Sequence, residues 1–231
     1  MKKLKVLKVI IILALFLGVI PVGSSAANAT SSQITATAVY YKNIKDLAYP
    51  KLSGIKNTKV QNNINMYFQQ KAKAHYDSYS ALKRDTEAIQ GDEICTEIPT
   101  ACIWSYKSSY KLIYQDSNYI SIIMYTDIYT GGIHGFRAVD TYNFNINTGK
   151  KILLTDIVKP SKATKTKQYI YNYFKKAGIL FTDVTIQDIK LNQYSTFIFT
   201  NTGISVIYQE YEIAPYANGN PKANIPSSVY R

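Results

Sequence analysis

The feature that most constrains the fold is a succession of strand-like segments between residues 101 and 158. Tyr, Ile, Val and Phe dominate these segments, as is typical of β-strands. The four predicted strands are residues 103–115, 118–129, 136–146 and 150–158. Turn signals at residues 116–118, 131–132 and 147–149 separate them, and the last is a hairpin connector with a glycine where φ is positive. Because the connections are short, we predict antiparallel pairing.

The residues before this region predict one strand and one long helix. Apolar and polar residues alternate within residues 35–49, which favours a strand, and the residue before Pro50 is expected to end it. A helix is predicted from Lys59 to about Tyr79, with Asn57 or Thr58 as N-cap.

An acidic stretch follows this helix at residues 80–100. It is predicted to contain the helix end and one strand leading to Cys95. We interpret its acids as a solvated surface rather than a calcium site, because they lack the alternating ligand pattern around a central glycine.

The C-terminal part predicts a second helix and two final strands. The helix runs from about Lys162 to Ala177, and Gly178 ends it as a C′ glycine. Residues 184–193 form a short helix or loop, the strands lie within 194–213, and the tail is ordered only where it packs. The predicted fold class is therefore α+β, with antiparallel sheets packed against two main helices in the order β-α-β(several)-α-β-β.

The N-terminus has the organisation of a signal peptide. A lysine-rich start precedes twelve apolar residues, Val9–Ile20, and small residues follow up to Ala26. As a helix, twelve residues span about 18 Å, well short of the roughly 30 Å hydrocarbon core. We predict cleavage, with residues 1–26 as the signal peptide, and a secreted, extracellular protein associated with the cell envelope.

The chain is basic, and it stays basic without its leader. Removing the four leader lysines lowers the formal net charge from +12 to +8. Outside a cell this charge favours anionic partners such as wall polymers or lipid headgroups. The alternative interpretation is that the charge serves solubility alone.

The sequence contains two cysteines, Cys95 and Cys102. An exported chain can form a disulfide, and we predict a local one that pins a hairpin; two free thiols are the alternative. Two thiols without a nearby pair of histidines make a poor metal site. We therefore predict no metal and no cofactor.

No motif of known catalytic chemistry occurs in the sequence. Nucleophile elbows, phosphate-binding glycine loops, His-Glu-x-x-His pairs and zinc-type cysteine clusters are all lacking. His75, near the end of the first helix, is interpreted as a surface or capping residue. Asp127, Asp140, Glu210 and Glu212 are interpreted as solvated or salt-bridged strand residues, although a glycosidase-type carboxylate pair stays open. We predict no catalytic residue.

Two short segments are candidates for ligand binding. Residues 129–135 place three glycines around one histidine between two strands, which favours either a ligand-contacting loop or a tight connection whose histidine bonds to backbone. Tyrosine is over-represented, with 21 residues against 8 Phe and one Trp, and a tyrosine cluster surrounds a proline near the C-terminus. The candidate ligand-binding residues are Gly131, Gly132, His134, Gly135, Tyr208, Tyr211, Pro215 and Tyr216.

The sequence resembles two domain families. Residues 49–70 (YPKLSGIKNTKVQNNINMYFQQ) resemble the non-catalytic N-terminal region of the secreted peptidoglycan deacetylase PdaC. Motifs at 130–135 (TGGIHG), 142–157 and 197–219 resemble a second domain of unknown function. Both occur in the extracellular part of the lysozyme-sensing anti-sigma factor RsiV, and the resemblance covers roughly residues 35–225.

The resemblance implies a ligand-binding part without the other activities of these proteins. Deacetylation belongs to a separate domain with an Asp and His metal site, and nothing similar occurs in this sequence. Eight residues before the apolar run are too few for a cytoplasmic anti-sigma segment. Lysozyme is cationic, so the overall charge opposes an encounter, whereas acidic residues 85–97 offer a local complement.

We predict three segments: the signal peptide at 1–26, a deacetylase-associated-like segment at 27–120 and an anti-sigma-extracellular-like segment at 121–231, the last two forming one compact unit. The favoured function is a secreted non-enzymatic binding module. Its partner would be a cell-wall polymer or a wall-active protein, with no nucleic acid and with membrane contact only through the signal peptide. The alternatives are a carbohydrate-active enzyme on peptidoglycan and a structural envelope protein.

Overall fold

Eight strands form three antiparallel sheets in the computed structural model, which describes residues 33–231. The predicted signal peptide lies outside the described residues. The strands are β1 (Thr35–Tyr40), β2 (Ala48–Ser53), β3 (Trp104–Gln115), β4 (Tyr119–Thr130), β5 (Phe136–Asn145), β6 (Thr196–Thr200), β7 (Gly203–Ile207) and β8 (Lys222–Pro226). β1 pairs with β2, the central sheet has the order β3-β4-β5, and the third sheet has the order β6-β7-β8.

Five α-helices accompany the sheets within residues 33–231. They are α1 (Thr58–Ile89), α2 (Glu93–Glu97), α3 (Leu154–Ile157), α4 (Ala163–Ala177) and α5 (Ser227–Tyr230). Asn57 is the N-cap of α1, because its Oδ1 accepts the N–H groups of Lys59 (3.0 Å) and Val60 (3.2 Å). Gly178 ends α4 in the left-handed conformation, with φ 68°, as the sequence predicts.

Helix α1 covers one face of the central sheet. Val60, Ile64, Phe68 and Ala72 are its buried residues, and they recur every four positions along the helix. Phe68 makes edge-to-face contacts with Tyr142 and with a neighbouring phenylalanine of β5, at centroid distances of 5.5 and 5.8 Å. The second half of α1 contributes no residue to this core.

The third sheet packs on the opposite face of the central sheet, and α4 covers its outer face. Between the sheets lie Ile123, Val139, Ile198 and Ile207. Strand β6 is also bonded through buried polar side chains: the Asn143 amide donates to a β6 carbonyl (2.8 Å) and accepts the hydroxyl of a serine on β4 (2.6 Å). The four layers are thus α1, central sheet, third sheet and α4, which confirms the predicted α+β class.

The disulfide between Cys95 and Cys102 is confirmed, but the predicted strand and hairpin around it are wrong. Helix α1 continues to Ile89, because the chain from residue 58 to 89 contains neither glycine nor proline. The segment that follows forms α2 and a 3₁₀ turn, Pro99–Cys102, whose first residue lacks a backbone N–H to offer a strand partner.

Three other predicted boundaries are wrong. The single strand predicted within residues 35–49 is instead two strands, β1 and the start of β2, and Pro50 lies inside β2, opposite Ala38, which an edge strand in a two-stranded sheet allows. Residues 150–158 make only one bridge, because Asp156 accepts the Leu153 N–H and stabilises helix α3. The tail adds β8 and α5, which the sequence did not predict, and it is anchored by the fully buried Tyr230.

Candidate functional site

The glycine loop, residues 131–135, connects β4 to β5. Gly131 and Gly132 have φ values of 85° and 90°, a conformation that other residues rarely adopt. A Cβ at Gly131 would lie 2.6 Å from the carbonyl oxygen of Ala101, and one at Gly135 would lie 2.7 Å from the Ile128 oxygen. Gly131 is therefore required both by its φ and by a close backbone contact, and Gly135 is required by a close backbone contact alone.

The second candidate segment, here called the corner, comprises residues 208–220 after β7. The prediction for Tyr208 needs correction: only 2% of it is exposed and its ring packs edge-to-face on Phe174 in the core, so it does not reach the surface. Tyr211 is 51% exposed and has φ 62°, a strained value for a non-glycine residue. Pro215 is exposed and precedes a 3₁₀ turn that begins at Tyr216.

Side chains of the corner take the place of a partner strand along the free edge of β5. Gln209 accepts the Val139 N–H (2.9 Å) and donates to the Val139 carbonyl (2.7 Å). Glu210 accepts the Arg137 N–H (3.0 Å), and Asn220 donates to the Arg137 carbonyl (3.3 Å). The corner is therefore held in register with the sheet edge that leads out of the glycine loop.

These bonds bring the two candidate segments together. We call the surface formed by His134, Tyr211 and Tyr216 the junction. The His134 ring stacks on Tyr216, with centroids 3.8 Å apart and planes 15° apart. Tyr211 stacks more loosely on Tyr216, at 5.8 Å, and its hydroxyl lies 3.2 Å from His134 Nε2. Residues 77 positions apart in sequence thus form one aromatic surface.

The hydrogen bonds of His134 define its neutral tautomer. Nδ1 lies 2.9 Å from the Gly135 carbonyl oxygen, which can only accept, so Nδ1 carries the proton. In the neutral ring Nε2 then accepts the hydroxyl of Tyr211. The interpretation of His134 as a residue that bonds to backbone agrees with this geometry, and the alternative of a ligand-contacting loop stays a prediction.

A groove of about 400 Å³ lies beside the junction. Its lining includes Asp127, Tyr129, Phe136, Arg137, Glu210 and Tyr216. Arg137 forms a two-pronged ion pair with Asp127 and lies over the ring of Tyr125, 5.4 Å from its centroid. The hydrogen bonds that Arg137 donates to Asp127 raise the pKa of Arg137 further above its ordinary value, so the guanidinium stays charged. Glu210 and Glu212 lie beyond the end of β7 rather than on a strand.

Six of the eleven large apolar side chains that are exposed among residues 33–231 lie in or beside the two candidate segments. They belong to the glycine loop and the start of β5, to the corner, or to the disulfide segment, residues 92–103, which contacts the loop through Ala101. These side chains are Ile94, Ile98, Ile103, Ile133, Phe136 and Tyr211. Ile133 at the loop tip is fully exposed. Such clustering is typical of a surface that contacts another molecule.

His75 lies away from the junction, between α1 and β3. It is half-buried, and its Nδ1 lies 2.6 Å from the Tyr106 hydroxyl, so the surface or capping role predicted for it is wrong. Burial lowers its pKa. Among residues 33–231, no group of three His, Cys, Asp or Glu side chains is placed to hold a metal ion. In the same range no helix combines the length and apolar character needed to cross a membrane.

Sequence reasoning missed the residues that assemble this site. Gln209 and Asn220 resemble solvated loop residues in the sequence, and only the fold shows that they bond to the β5 edge. For Arg137, nothing in the sequence except its charge indicated a place in the groove. Asp127, by contrast, matches its interpretation as a salt-bridged strand residue.

Comparisons with known families confirm the two resemblances. Residues 35–137 match the family described as Deacetylase PdaC, and residues 155–228 match the family described as Protein of unknown function (DUF3298). The PdaC match and the disulfide fit an extracellular protein. The comparison with curated proteins found no match.

Solved structures show the same fold. A DUF3298 family member from Bacteroides fragilis has a TM-score of 0.58 at 18% identity, covering 85% of this chain and 89% of that chain. A DUF3298 family protein from Pseudomonas aeruginosa has a TM-score of 0.50 at 15% identity, covering 85% and 91%. At these identities the likeness concerns the fold alone.

Proposed function

We propose that this chain is a secreted, non-enzymatic binding module of the bacterial cell envelope, and that the junction binds its ligand. The PdaC-like and DUF3298 segments indicate a cell-envelope related module. The leader sequence and the disulfide support export.

One observation carries the choice of site. Gln209, Glu210 and Asn220 hold the corner against β5, so that His134 and Tyr216 are stacked before any ligand arrives. Preformed, partly apolar surfaces with a few fixed polar groups are the usual form of binding sites, because they lose little conformational entropy on binding.

The surface fits a cationic wall hydrolase such as lysozyme better than it fits a free glycan. The fully exposed Ile133 and half-exposed Tyr211 project from the two candidate segments, as residues of protein–protein contacts do. The adjacent residues 85–97 carry five acids and no lysine or arginine, and one of these acids, Glu87, lies 3.8 Å from the Lys83 ammonium. Such a patch would attract a cationic partner locally.

A wall glycan is the second candidate ligand. The groove is large enough for a sugar unit, and its Tyr216 wall offers an aromatic face beside the charged Arg137–Asp127 pair. The stack of His134 on Tyr216 covers part of that face, which is why a protein ligand is preferred.

The test is a binding assay with lysozyme and, separately, with purified peptidoglycan. The processed chain should bind at least one of them saturably. Tyr211→Ala should weaken that binding by about 2 kcal/mol, as truncation of a central aromatic contact does. Tyr173→Ala, which removes a similarly exposed tyrosine from α4, is the matched control and should bind like wild type. A folded sample that binds neither probe would refute the proposal.

The same samples test the proposal that the chain is not an enzyme. Incubation with labelled peptidoglycan should release no soluble product. Product release that His134→Ala abolishes would show that the junction is an active site instead.

A further inference from the structure

The glycine loop rests on the segment that the disulfide closes. Gly131 lies so near Ala101, the residue before Cys102, that a Cβ would be 2.6 Å from the Ala101 oxygen and 3.0 Å from its Cα. The disulfide joins Cys102 to Cys95 across the 3₁₀ turn and α2. The turn that contacts the loop is therefore part of a covalent ring.

A second contact links this turn to the central sheet. The indole Nε1 of Trp104 donates to the same Ala101 carbonyl (2.9 Å) that faces Gly131. Trp104 opens β3 and lies opposite Thr130, the last residue of β4 before the loop. The turn, the first residue of β3 and the first residue of the loop thus meet around one carbonyl group.

Little else holds the disulfide segment in place. Helix α2 has no buried residue, and the 3₁₀ turn has only Cys102. Two hydrogen bonds link the segment to the end of α1: Gln90 donates to the Cys102 carbonyl (3.2 Å), and the Asp92 N–H donates to the Ile89 carbonyl (3.0 Å). A segment with so little burial has low local stability unless a covalent link restrains it.

We propose that the Cys95–Cys102 disulfide is a positioning element of the binding surface. It fixes the turn at Ala101, the turn fixes the glycine loop, and the loop presents His134 to Tyr216. The proposal rests on the proposed function only in so far as the junction binds a ligand, because the position of the loop can be measured without one.

The double variant Cys95→Ser/Cys102→Ser tests this role in the processed chain. Amide hydrogen exchange in residues 131–136 should accelerate about tenfold, which corresponds to 1.4 kcal/mol of lost local stability. Exchange in β4 and β6 should not change. The emission maximum of Trp104, the chain's only tryptophan, should shift to longer wavelength. Affinity for whichever of lysozyme or peptidoglycan the wild type binds should fall by about tenfold.

Two glycine variants distinguish the effect of the contact with Ala101 from the effect of backbone strain at a positive φ. Gly131→Ala and Gly132→Ala force alanine into nearly the same φ, but only the first places a Cβ against Ala101, since nothing lies within 4 Å of a Cβ at Gly132. Gly131→Ala should therefore accelerate exchange in the loop and shift the Trp104 emission more than Gly132→Ala does.

Each outcome decides one question. Wild-type exchange and emission in the double serine variant would overturn the positioning role, even if that variant binds less well. If the wild type binds neither probe, the proposed function fails, while exchange and emission still decide whether the disulfide positions the loop.

Discussion

Replacing Gln209 by alanine should loosen the corner from β5. The Gln209 side chain makes two hydrogen bonds to Val139, of 2.9 Å to its N–H and 2.7 Å to its carbonyl. Only 2% of Val139 is exposed, so water replaces these partners poorly. Each buried group left without a partner costs about 1–3 kcal/mol, and partial hydration lowers the sum, so we expect a loss of about 2–3 kcal/mol.

The assay is urea unfolding of the processed chain, together with amide exchange at Val139. Gln209→Ala should lower the free energy of unfolding by the stated amount and expose the Val139 amide to faster exchange. Gln69→Ala, at an exposed position on α1, is the matched control and should change stability by less than about 0.5 kcal/mol. If both variants unfold like wild type, Gln209 does not hold the corner and the reasoning is refuted.

Three further predictions concern the layers and the buried histidine. Asn143→Ala should cost about 2–4 kcal/mol in urea unfolding, because it breaks the buried bonds between the central sheet and β6; an unchanged midpoint would contradict this. Phe68→Ala should cost about 3–5 kcal/mol by the same assay, because this fully buried ring joins α1 to the central sheet, and a loss below about 1 kcal/mol would exclude that role. Burial lowers the pKa of His75 below 6.5, so the unfolded chain binds the proton first; the stabilisation is complete above about pH 6.5 and is lost as the pH falls below it. His75→Gln should flatten the stability profile between pH 7 and 5, and an equally steep profile would assign the acid sensitivity to other groups.

The sequence predicted correctly those structural elements that depend on neighbouring residues in the chain. The Asn57 cap, the Gly178 stop and the antiparallel pairing of β3, β4 and β5 follow from caps, turn residues and strand composition. The length of α1 did not follow, because its second half lacks a buried stripe and extends past the core. β8 was missed because its few apolar residues become informative only when they pair with β7.

The site was predicted as two pieces and not as one surface. The glycines and tyrosines could be recognised from their types, but the contact between His134 and Tyr216 depends on how the third sheet packs on the central sheet. The error at Tyr208 has the same origin, since the residue after β7 faces either solvent or core depending on where α4 lies.

The claim that the junction binds the ligand is tested most directly by hydrogen–deuterium exchange of the processed chain. The exchange is measured with and without whichever of lysozyme and peptidoglycan the chain binds. Residues 131–136 and 209–219 should gain protection together at saturating lysozyme or peptidoglycan, and α4 should not. Protection confined to one of the two segments, or found on α4 alone, would contradict the assignment of the junction as the binding surface.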